Sequence, residues 1–239
     1  MSNLSAEQNR VFMSSSPRFT KYLIILAMIQ LSFLLASHLL VHKLVLIGGV
    51  VFSASTLVFP FTYFFGDVIA EVYGYKVSRQ LIWATFFCML LFDLIPALLI
   101  RLPSPAFWHF GPDYSTVVGQ LPRTFLGDFI AINVGQFVNV YSLTKLKVLM
   151  NGRNFPLRSL LSTLIGEGVF TILAFMIMFF GVNNIHVIIE AMLFSYIFKA
   201  ICAFVAVYPA YLFSNYLKYT EQIDVFDAST NFNPFSLEI

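Results

Sequence analysis

Long apolar stretches separated by short polar segments are the dominant pattern of this chain. A helix needs about 20 predominantly apolar residues to cross the hydrocarbon core of a bilayer. Six stretches are long enough, and we predict a transmembrane helix in each: Tyr22–Val41, Ser53–Tyr75, Leu81–Ile100, Thr124–Leu146, Arg158–Gly181 and Ile188–Leu217. The pattern therefore predicts an all-α polytopic membrane protein, with a six-helix transmembrane domain over residues 21–217.

The segment between the first two predicted helices has a different pattern. Residues 44–52 contain two apolar, partly β-branched runs on either side of Gly48-Gly49, which is typical of a hairpin. We predict a short extracellular hairpin there. Three helices in each half, with opposite topology, match the inverted repeat of many transporters. Gly66-Asp67 and Gly166-Glu167 would be counterparts in such a 3+3 repeat.

The distribution of Lys and Arg predicts the orientation of the chain, because basic loops are retained in the cytoplasm. Ten of these residues lie in the N-terminal segment, the C-terminal tail and the loops of one side, and only three, Lys43, Arg101 and Arg123, lie on the other side. We therefore predict a cytoplasmic N-terminal segment over residues 1–20 and a cytoplasmic tail over residues 218–239. The tail is polar, and we expect it to be disordered.

Composition supports the membrane class and excludes others. The chain has 239 residues, of which 59% are hydrophobic and 11% are charged, unlike a soluble domain. A net charge of +2 argues against a nucleic-acid surface, which needs clustered basic residues. Cys88 and Cys202 both lie in apolar runs, so we expect two core thiols and no disulfide.

The motifs of common enzymes are missing from the sequence. It contains no Gly-rich phosphate loop, no His-Glu-x-x-His and no Gly-x-Ser-x-Gly. The four histidines, at positions 38, 42, 109 and 186, lie near the predicted outer ends of helices or in outer loops. We therefore expect no enzymatic activity, no cofactor and no metal site.

A set of polar residues interrupts the predicted helices near their centres. With a rise of about 1.5 Å per residue, five of them lie within about 10 Å of the predicted midplane, and they come from five different helices: Asp67, Asp93, Gln136, Glu167 and Lys199. Polar residues at this depth normally face a wet cavity and mark a substrate or ion path. We predict that they share one pocket.

Other polar residues share helix faces with this set. Asp67 and Glu71 are four residues apart, and Asp128, Gln136 and Asn139 follow the spacing of one helix face. Three tyrosines lie near the polar residues and carry a hydroxyl group that could contact a ligand: Tyr63, Tyr141 and Tyr196.

Several of these residues also have a purely structural interpretation. Lys199 could neutralise Glu167 or Asp67 in a buried pair that never touches a ligand. Glu71 could act as a cytoplasmic gate or pair at the surface with Lys76 or Arg79.

The same holds for the uncharged residues and for Asp93. Gln136 and Asn139 could form hydrogen bonds between helices, and Asp93 could face water that enters from the outer side. The sequence leaves these alternatives open, and Asp67 is the residue for which a substrate role is best supported.

An ordered set of motifs runs through most of the chain. Phe59-Pro60-Phe61-Thr62-Tyr63 leads to Asp67, Glu71 and Tyr73-Gly74. Further motif residues follow in order: Arg123, Gln136, Asn139, Tyr141, Arg158, Ser162-Thr163, Thr171, Tyr196, Lys199 and Pro209. This set resembles the queuosine precursor transporter family, also called the vitamin uptake transporter family, and the resemblance runs from about residue 59 to residue 212. Gly66 and Asn139 depart from it, since the family often has Thr and Asp there.

The resemblance implies import of 7-deazaguanine bases, such as the cyano and aminomethyl forms, by alternating access across a bacterial inner membrane for tRNA modification. The partners would be this small molecule and the lipid bilayer, and the sequence leaves a homo-oligomer open. Asp67 or Glu167 would accept hydrogen bonds from the base edge, Gln136 or Lys199 would donate to its carbonyl, and a Tyr or Phe would stack on its face.

Two other functions remain as alternatives at this point. The chain could be the substrate-binding membrane subunit of an ATP-driven importer for a purine-like or vitamin-like solute, because such subunits are also small and six-spanning. An intramembrane enzyme is a third alternative, which the missing nucleophile and metal motifs argue against.

Overall fold

The protein is described here by a computed structural model that covers residues 21–47, 49–105, 107–119, 121–179 and 184–236. The predicted N-terminal segment 1–20 lies outside the described residues. Helices dominate, and the elements in chain order are α1 (Leu23–Leu39), β1 (Leu44–Ile47), β2 (Val50–Ser53), α2 (Ser55–Val58), α3 (Pro60–Leu99), α4 (Gly111–Val118), α5 (Leu121–Leu149), α6 (Phe155–Phe179) and α7 (Ile185–Glu221).

Helix α3 consists of two helical segments that meet at Gly74. The backbone of Gly74 has φ 83° and ψ −179°, a conformation that is essentially restricted to glycine. Ser55, just before α3, accepts a hydrogen bond through its carbonyl from Ser37 near the end of α1. Asp93, near the other end of α3, contacts His38 in the same turn of α1. The chain therefore reverses direction at Gly74, and the two segments correspond to the second and third predicted helices.

The bundle has two ends, which we name by the segments that lie there. The hairpin end contains β1, β2 and the last turn of α1. The tail end contains Gly74 and residues 223–236, and there the backbone N–H of Tyr22 donates to Glu221 Oε1 at 2.8 Å. Lys147 in α5 and Arg158 in α6 both reach Glu71 at the tail end. The six segments formed by α1, the two parts of α3, α5, α6 and α7 therefore alternate in direction.

Within the described residues, three helical stretches are long and apolar enough to cross a membrane, namely Ser55–Leu99, Phe155–Ile177 and Ile188–Glu221, and Leu23–Leu39 is a shorter apolar helix. Their outer faces expose large apolar side chains such as Phe87 and Phe204, which are 58% and 69% exposed. Such a surface is stable in lipid rather than in water. The chain is thus a multi-pass membrane protein, while the six crossings and the inverted repeat stay predictions.

Strands β1 and β2 pair antiparallel, with Leu44 opposite Ser53 and Ile47 opposite Val50. The ring of Phe52 packs against the rings of Phe194 and Phe198 in α7, with centroids 5.5 and 5.9 Å away. The strand pair is therefore folded onto α7 as one wall of the bundle. Its position relative to the membrane stays a prediction.

The described part of the C-terminal tail is packed on the bundle, so the expectation of disorder is wrong for residues 223–236. Asp227 is 3% exposed and accepts a hydrogen bond from the backbone N–H of Tyr75 at 3.0 Å. The indole N–H of Trp83 donates to the carbonyl of Pro234 at 2.9 Å, and Arg79 donates to the carbonyls of Asn231 and Asn233. The tail is ordered because it supplies acceptors to donors that would otherwise be buried without partners.

We expect Gly74→Ala to destabilise the protein. Alanine is strained in this conformation by about 1–3 kcal/mol, and its Cβ would lie 2.6 Å from Val225 Cγ1 in the tail. The melting temperature of the purified protein in detergent should fall. Gly168→Ala is the matched control, because a Cβ there meets Tyr196 at an ordinary 3.5 Å. Equal melting temperatures for the two variants would contradict the strained turn.

Candidate functional site

Two cavities lie inside the bundle, and Lys199 lines both of them. The larger one has a volume of about 670 Å³ and extends from the hairpin end, where Phe52 lines it, to Lys199. The smaller one, about 20 Å³, continues beyond Lys199 to Asp67. Small-molecule sites usually measure roughly 300–1,000 Å³. In this conformation only the larger of the two can hold a small molecule.

Lys199 and Glu167 form a buried pair at the boundary between the cavities. Lys199 Nζ donates to Glu167 Oε2 at 3.0 Å and lies 3.4 Å from Thr171 Oγ1. The ammonium group also lies 4.3 Å from the ring centroid of Phe170 and 4.9 Å from that of Phe59. The pairing and the aromatic faces offset part of the cost of removing these charges from water. A ligand in the larger cavity would therefore meet a cation that is already flanked by two rings.

Asp67 is buried and held by side chains from two other helices. Its carboxylate accepts hydrogen bonds from Asn139 Nδ2 at 2.7 Å and from Thr163 Oγ1 at 2.9 Å, and a third from Ser159 Oγ. These donors come from α5 and α6. Asp67 thus ties the first segment of α3 to both helices.

Two glycines bring α5 and α6 close enough for this arrangement. A Cβ on Gly166 of α6 would lie 2.7 Å from Asn139 Cβ in α5, and one on Gly135 of α5 would lie 2.8 Å from Phe170 Cβ in α6. Small residues allow this close approach of helices in membranes. Among the described residues, Tyr63 Oη and Asn139 Oδ1 are buried without a hydrogen-bond partner, so one donor and one acceptor near Asp67 stay available.

Glu71 lies apart from both cavities, in a cluster of charges at the tail end. Arg158 donates to its two carboxylate oxygens at 2.9 and 3.1 Å, and Lys218 Nζ donates to Oε1 at 2.6 Å. Lys147 Nζ lies 3.7 Å from the same oxygen and also contacts Asp224 of the tail. Glu71 is 1% exposed, so the suggested surface pair is wrong. The cluster joins α3, α5, α6, α7 and the tail.

Asp128 faces the larger cavity in a second cluster, at the hairpin end. His38 Nδ1 lies 2.6 Å from Asp128 Oδ2, and His38 Nε2 lies 2.9 Å from Asp93 Oδ1. All three residues are at most 3% exposed, so Asp93 does not face outer water as the sequence had suggested. His38 had no role in our sequence analysis. Its position inside an apolar run, opposite two acids at similar depth, was the signal that could have found it.

The other predicted site residues lie in different surroundings. Gln136 is buried. The hydroxyl group of Tyr196 donates to the carbonyl of Leu164 at 3.2 Å, which joins α7 to α6. Tyr141 is 45% exposed and packs its ring against Phe232 of the tail. The structure therefore brings Tyr63, Asp67, Asn139, Glu167 and Lys199 together and separates them from Glu71 and Tyr141.

A family model described as "Putative vitamin uptake transporter" matches residues 53–213. The match covers more than half of the chain and includes Asp67, Glu167 and Lys199. His38 and the tail lie outside the matched range. Comparisons with curated proteins and with solved structures find no match.

We expect Glu71→Gln to lower the stability of the protein strongly. Removing one partner from a buried ion pair costs roughly 3–5 kcal/mol, because the remaining charges lose their compensation. Thermal unfolding of the purified protein in detergent measures the effect. Glu190→Gln makes the same chemical change at an exposed position and should leave the melting temperature nearly unchanged. A similar melting temperature for both variants would show that the cluster does not stabilise the tail end.

Proposed function

Because the chain belongs to the vitamin uptake transporter family, we propose that it imports 7-deazaguanine precursors of queuosine across a bacterial inner membrane by alternating access. The bases would include the cyano and aminomethyl forms. Inside the cell they would serve tRNA modification.

The observation that carries this proposal is the difference between the two ends of the bundle. The larger cavity extends from the hairpin end to Lys199. Beyond Lys199 a cavity of only about 20 Å³ continues to Asp67, and the Glu71 cluster and the tail close the tail end. Alternating access requires a central site that opens to one side at a time. This conformation would be the one that takes up substrate at the hairpin end.

The chemistry around Lys199 suits a flat, guanine-like base. Such a base has adjacent N–H groups that can both donate hydrogen bonds to one carboxylate, and a carbonyl that can accept a hydrogen bond from a cation. Its two flat faces can stack on aromatic rings. Glu167 and Lys199 would meet the polar edge, and Phe59 or Phe170 would cover a face. The carboxylate of Asp128, which also lines the larger cavity, would offset the positive charge of the aminomethyl form.

Asp67 would act on the far side of Lys199 during the second half of the cycle. Its carboxylate already accepts from Asn139, Ser159 and Thr163, of which only Asn139 donates to Oδ1. Since a carboxylate can accept about four hydrogen bonds, a substrate could donate a further bond to Oδ1. The unpartnered hydroxyl group of Tyr63 lies near the same place. We propose that Asp67 and Tyr63 contact the base after the bundle opens at the tail end, with Gln136 and Asn139 as further polar residues along this path.

The basic side chains that are not buried support one orientation of the chain in the membrane. Arg79, Lys147 and Arg158 are buried in the structure. At the tail end Lys21 and Arg153 are exposed, and Lys76, Lys145 and Lys218 are partly exposed, whereas at the hairpin end Lys43 and Arg101 are exposed. Exposed basic residues favour the cytoplasmic side. We therefore propose that the tail end faces the cytoplasm and the hairpin end faces outward.

The direct test is uptake by cells that cannot synthesise deazaguanine bases but can insert them into tRNA. With this protein and external 7-cyano-7-deazaguanine, queuosine should appear in tRNA; without the protein it should not. Uptake into liposomes that contain only the purified protein, without ATP, separates a secondary transporter from a subunit of an ATP-driven importer. If the liposomes take up no base without ATP, the result favours a subunit of an ATP-driven importer. If no queuosine appears in the tRNA of the cells, the proposed substrate is wrong.

We expect Glu167→Gln to weaken binding of 7-cyano-7-deazaguanine about 10- to 100-fold. A hydrogen bond to a charged group contributes roughly 1.5–3 kcal/mol, and about 1.4 kcal/mol corresponds to a factor of ten. Isothermal titration calorimetry on the detergent-purified protein measures the affinity. Asp113→Asn, an exposed acid in α4, is the control and should bind as the unmodified protein does. An unchanged affinity for Glu167→Gln would remove this residue from the binding site.

A further inference from the structure

The geometry of the cluster of His38, Asp93 and Asp128 fits one proton more than its ordinary ionisation states supply. Both ring nitrogens of His38 lie within hydrogen-bond distance of a carboxylate oxygen, at 2.6 and 2.9 Å. A neutral imidazole has one donor and one acceptor, and an ionised carboxylate has only acceptors. Both contacts can be hydrogen bonds only if the cluster holds one proton beyond a neutral histidine and two carboxylates. That proton lies either on the ring or on one carboxyl group.

We infer that this cluster is the site where a coupling proton binds during transport, an inference that rests on the transport function proposed above. The cluster joins three helices: α1 through His38, the second segment of α3 through Asp93, and α5 through Asp128. His38 and Asp128 line the larger cavity. A proton can therefore reach the cluster from the hairpin end through the same cavity as the substrate.

The charges around the cluster favour a single bound proton. With the proton its net charge is −1, and without it −2. On α7, Lys199 and Glu190 line the same cavity, but Lys199 is already paired with Glu167 of α6. His42, in the turn after α1, also lines the cavity, and the α6 side chains that line it are apolar. The described surroundings thus supply no unpaired cation that could take the place of the proton.

Release of the proton would make the cluster less stable in this conformation. One of the two hydrogen bonds is then lost, and two buried carboxylates flank a neutral ring, which is unfavourable in a site shielded from water. Asp93 Oδ2 is already buried without a partner among the described residues. The deprotonated cluster is therefore more stable where α1, α3 and α5 move apart and admit water. Proton binding would hold the hairpin end together, and proton release would loosen it.

The cluster lines the same cavity in which we propose that the substrate binds. Asp128 and Lys199 line the same cavity from opposite helices, so a base that contacts Lys199 lies in the space that connects both residues. Binding of the base would then favour one protonation state of the cluster. The coupling residues would therefore lie next to the substrate, while the base and the proton would bind to different atoms.

The first experiment uses the unmodified protein in liposomes with a pH-sensitive dye inside. Addition of external 7-cyano-7-deazaguanine should acidify the interior, and an external pH one unit below the internal pH should concentrate the base several-fold. A Na⁺ gradient at equal pH should not concentrate it. Net uptake of labelled base without acidification of the interior would overturn the inference while leaving the proposed function intact, whereas no uptake at all would overturn the proposed function.

The second experiment assigns the proton to this cluster. His38→Gln should lower the inside-to-outside ratio of the base under the pH gradient from several-fold to about one, while His109→Gln, in an exposed loop, should accumulate the base as the unmodified protein does. Asp93→Asn, which keeps the shape of the side chain, tests the same point if His38→Gln does not purify as a monodisperse protein. Accumulation at the unmodified level in either cluster variant would overturn the assignment.

Discussion

The buried carboxylate of Glu71 is the constraint on which the tail end of this bundle depends. An isolated charge at this depth is costly, so the chain must supply cations to it. Arg158, Lys147 and Lys218 do so from α6, α5 and α7. With Asp224 from the tail, three cations face two anions. The helices that carry these residues cannot separate without exposing or unpairing the charges, which keeps the tail end closed in this conformation.

The turn at Gly74 and the ordered tail follow from the same closure. The chain reverses directly after the helical turn that carries Glu71, in a conformation that only glycine readily adopts. Val225 and Asp227 pack against this turn, and Lys147 contacts both Glu71 and the tail. Opening of the tail end would therefore have to displace the tail as well. The tail lies outside the range of the family match, so this contact is a feature of the chain beyond the matched transporter region.

Charge clusters occur at three levels of the bundle, and each has a different composition. The Glu71 cluster at the tail end carries an excess of cations, and the His38 cluster at the hairpin end carries an excess of anions. Between them, Lys199 and Glu167 pair at the end of the larger cavity. This order matches a transporter whose two ends open in turn around a central site. It also explains why α5, which contributes Asp128, Gln136, Asn139 and Lys147, is more polar than its neighbours.

The sequence alone determined the properties that depend on local composition. Apolar length predicted the helices, and the depth of polar residues predicted one pocket shared by five of them. The structure places Asp67, Glu167 and Lys199 around one small cavity, but Asp93 lies in the separate cluster with His38. Tertiary structure decided which partner each buried charge has, because that depends on which helix faces which. His38, Arg158 and Lys147 find partners 55 or more residues away along the chain, so the local sequence does not show which partner each of them has. The same reason applies to the tail: its composition indicated disorder, and only the folded bundle supplies the donors that order it.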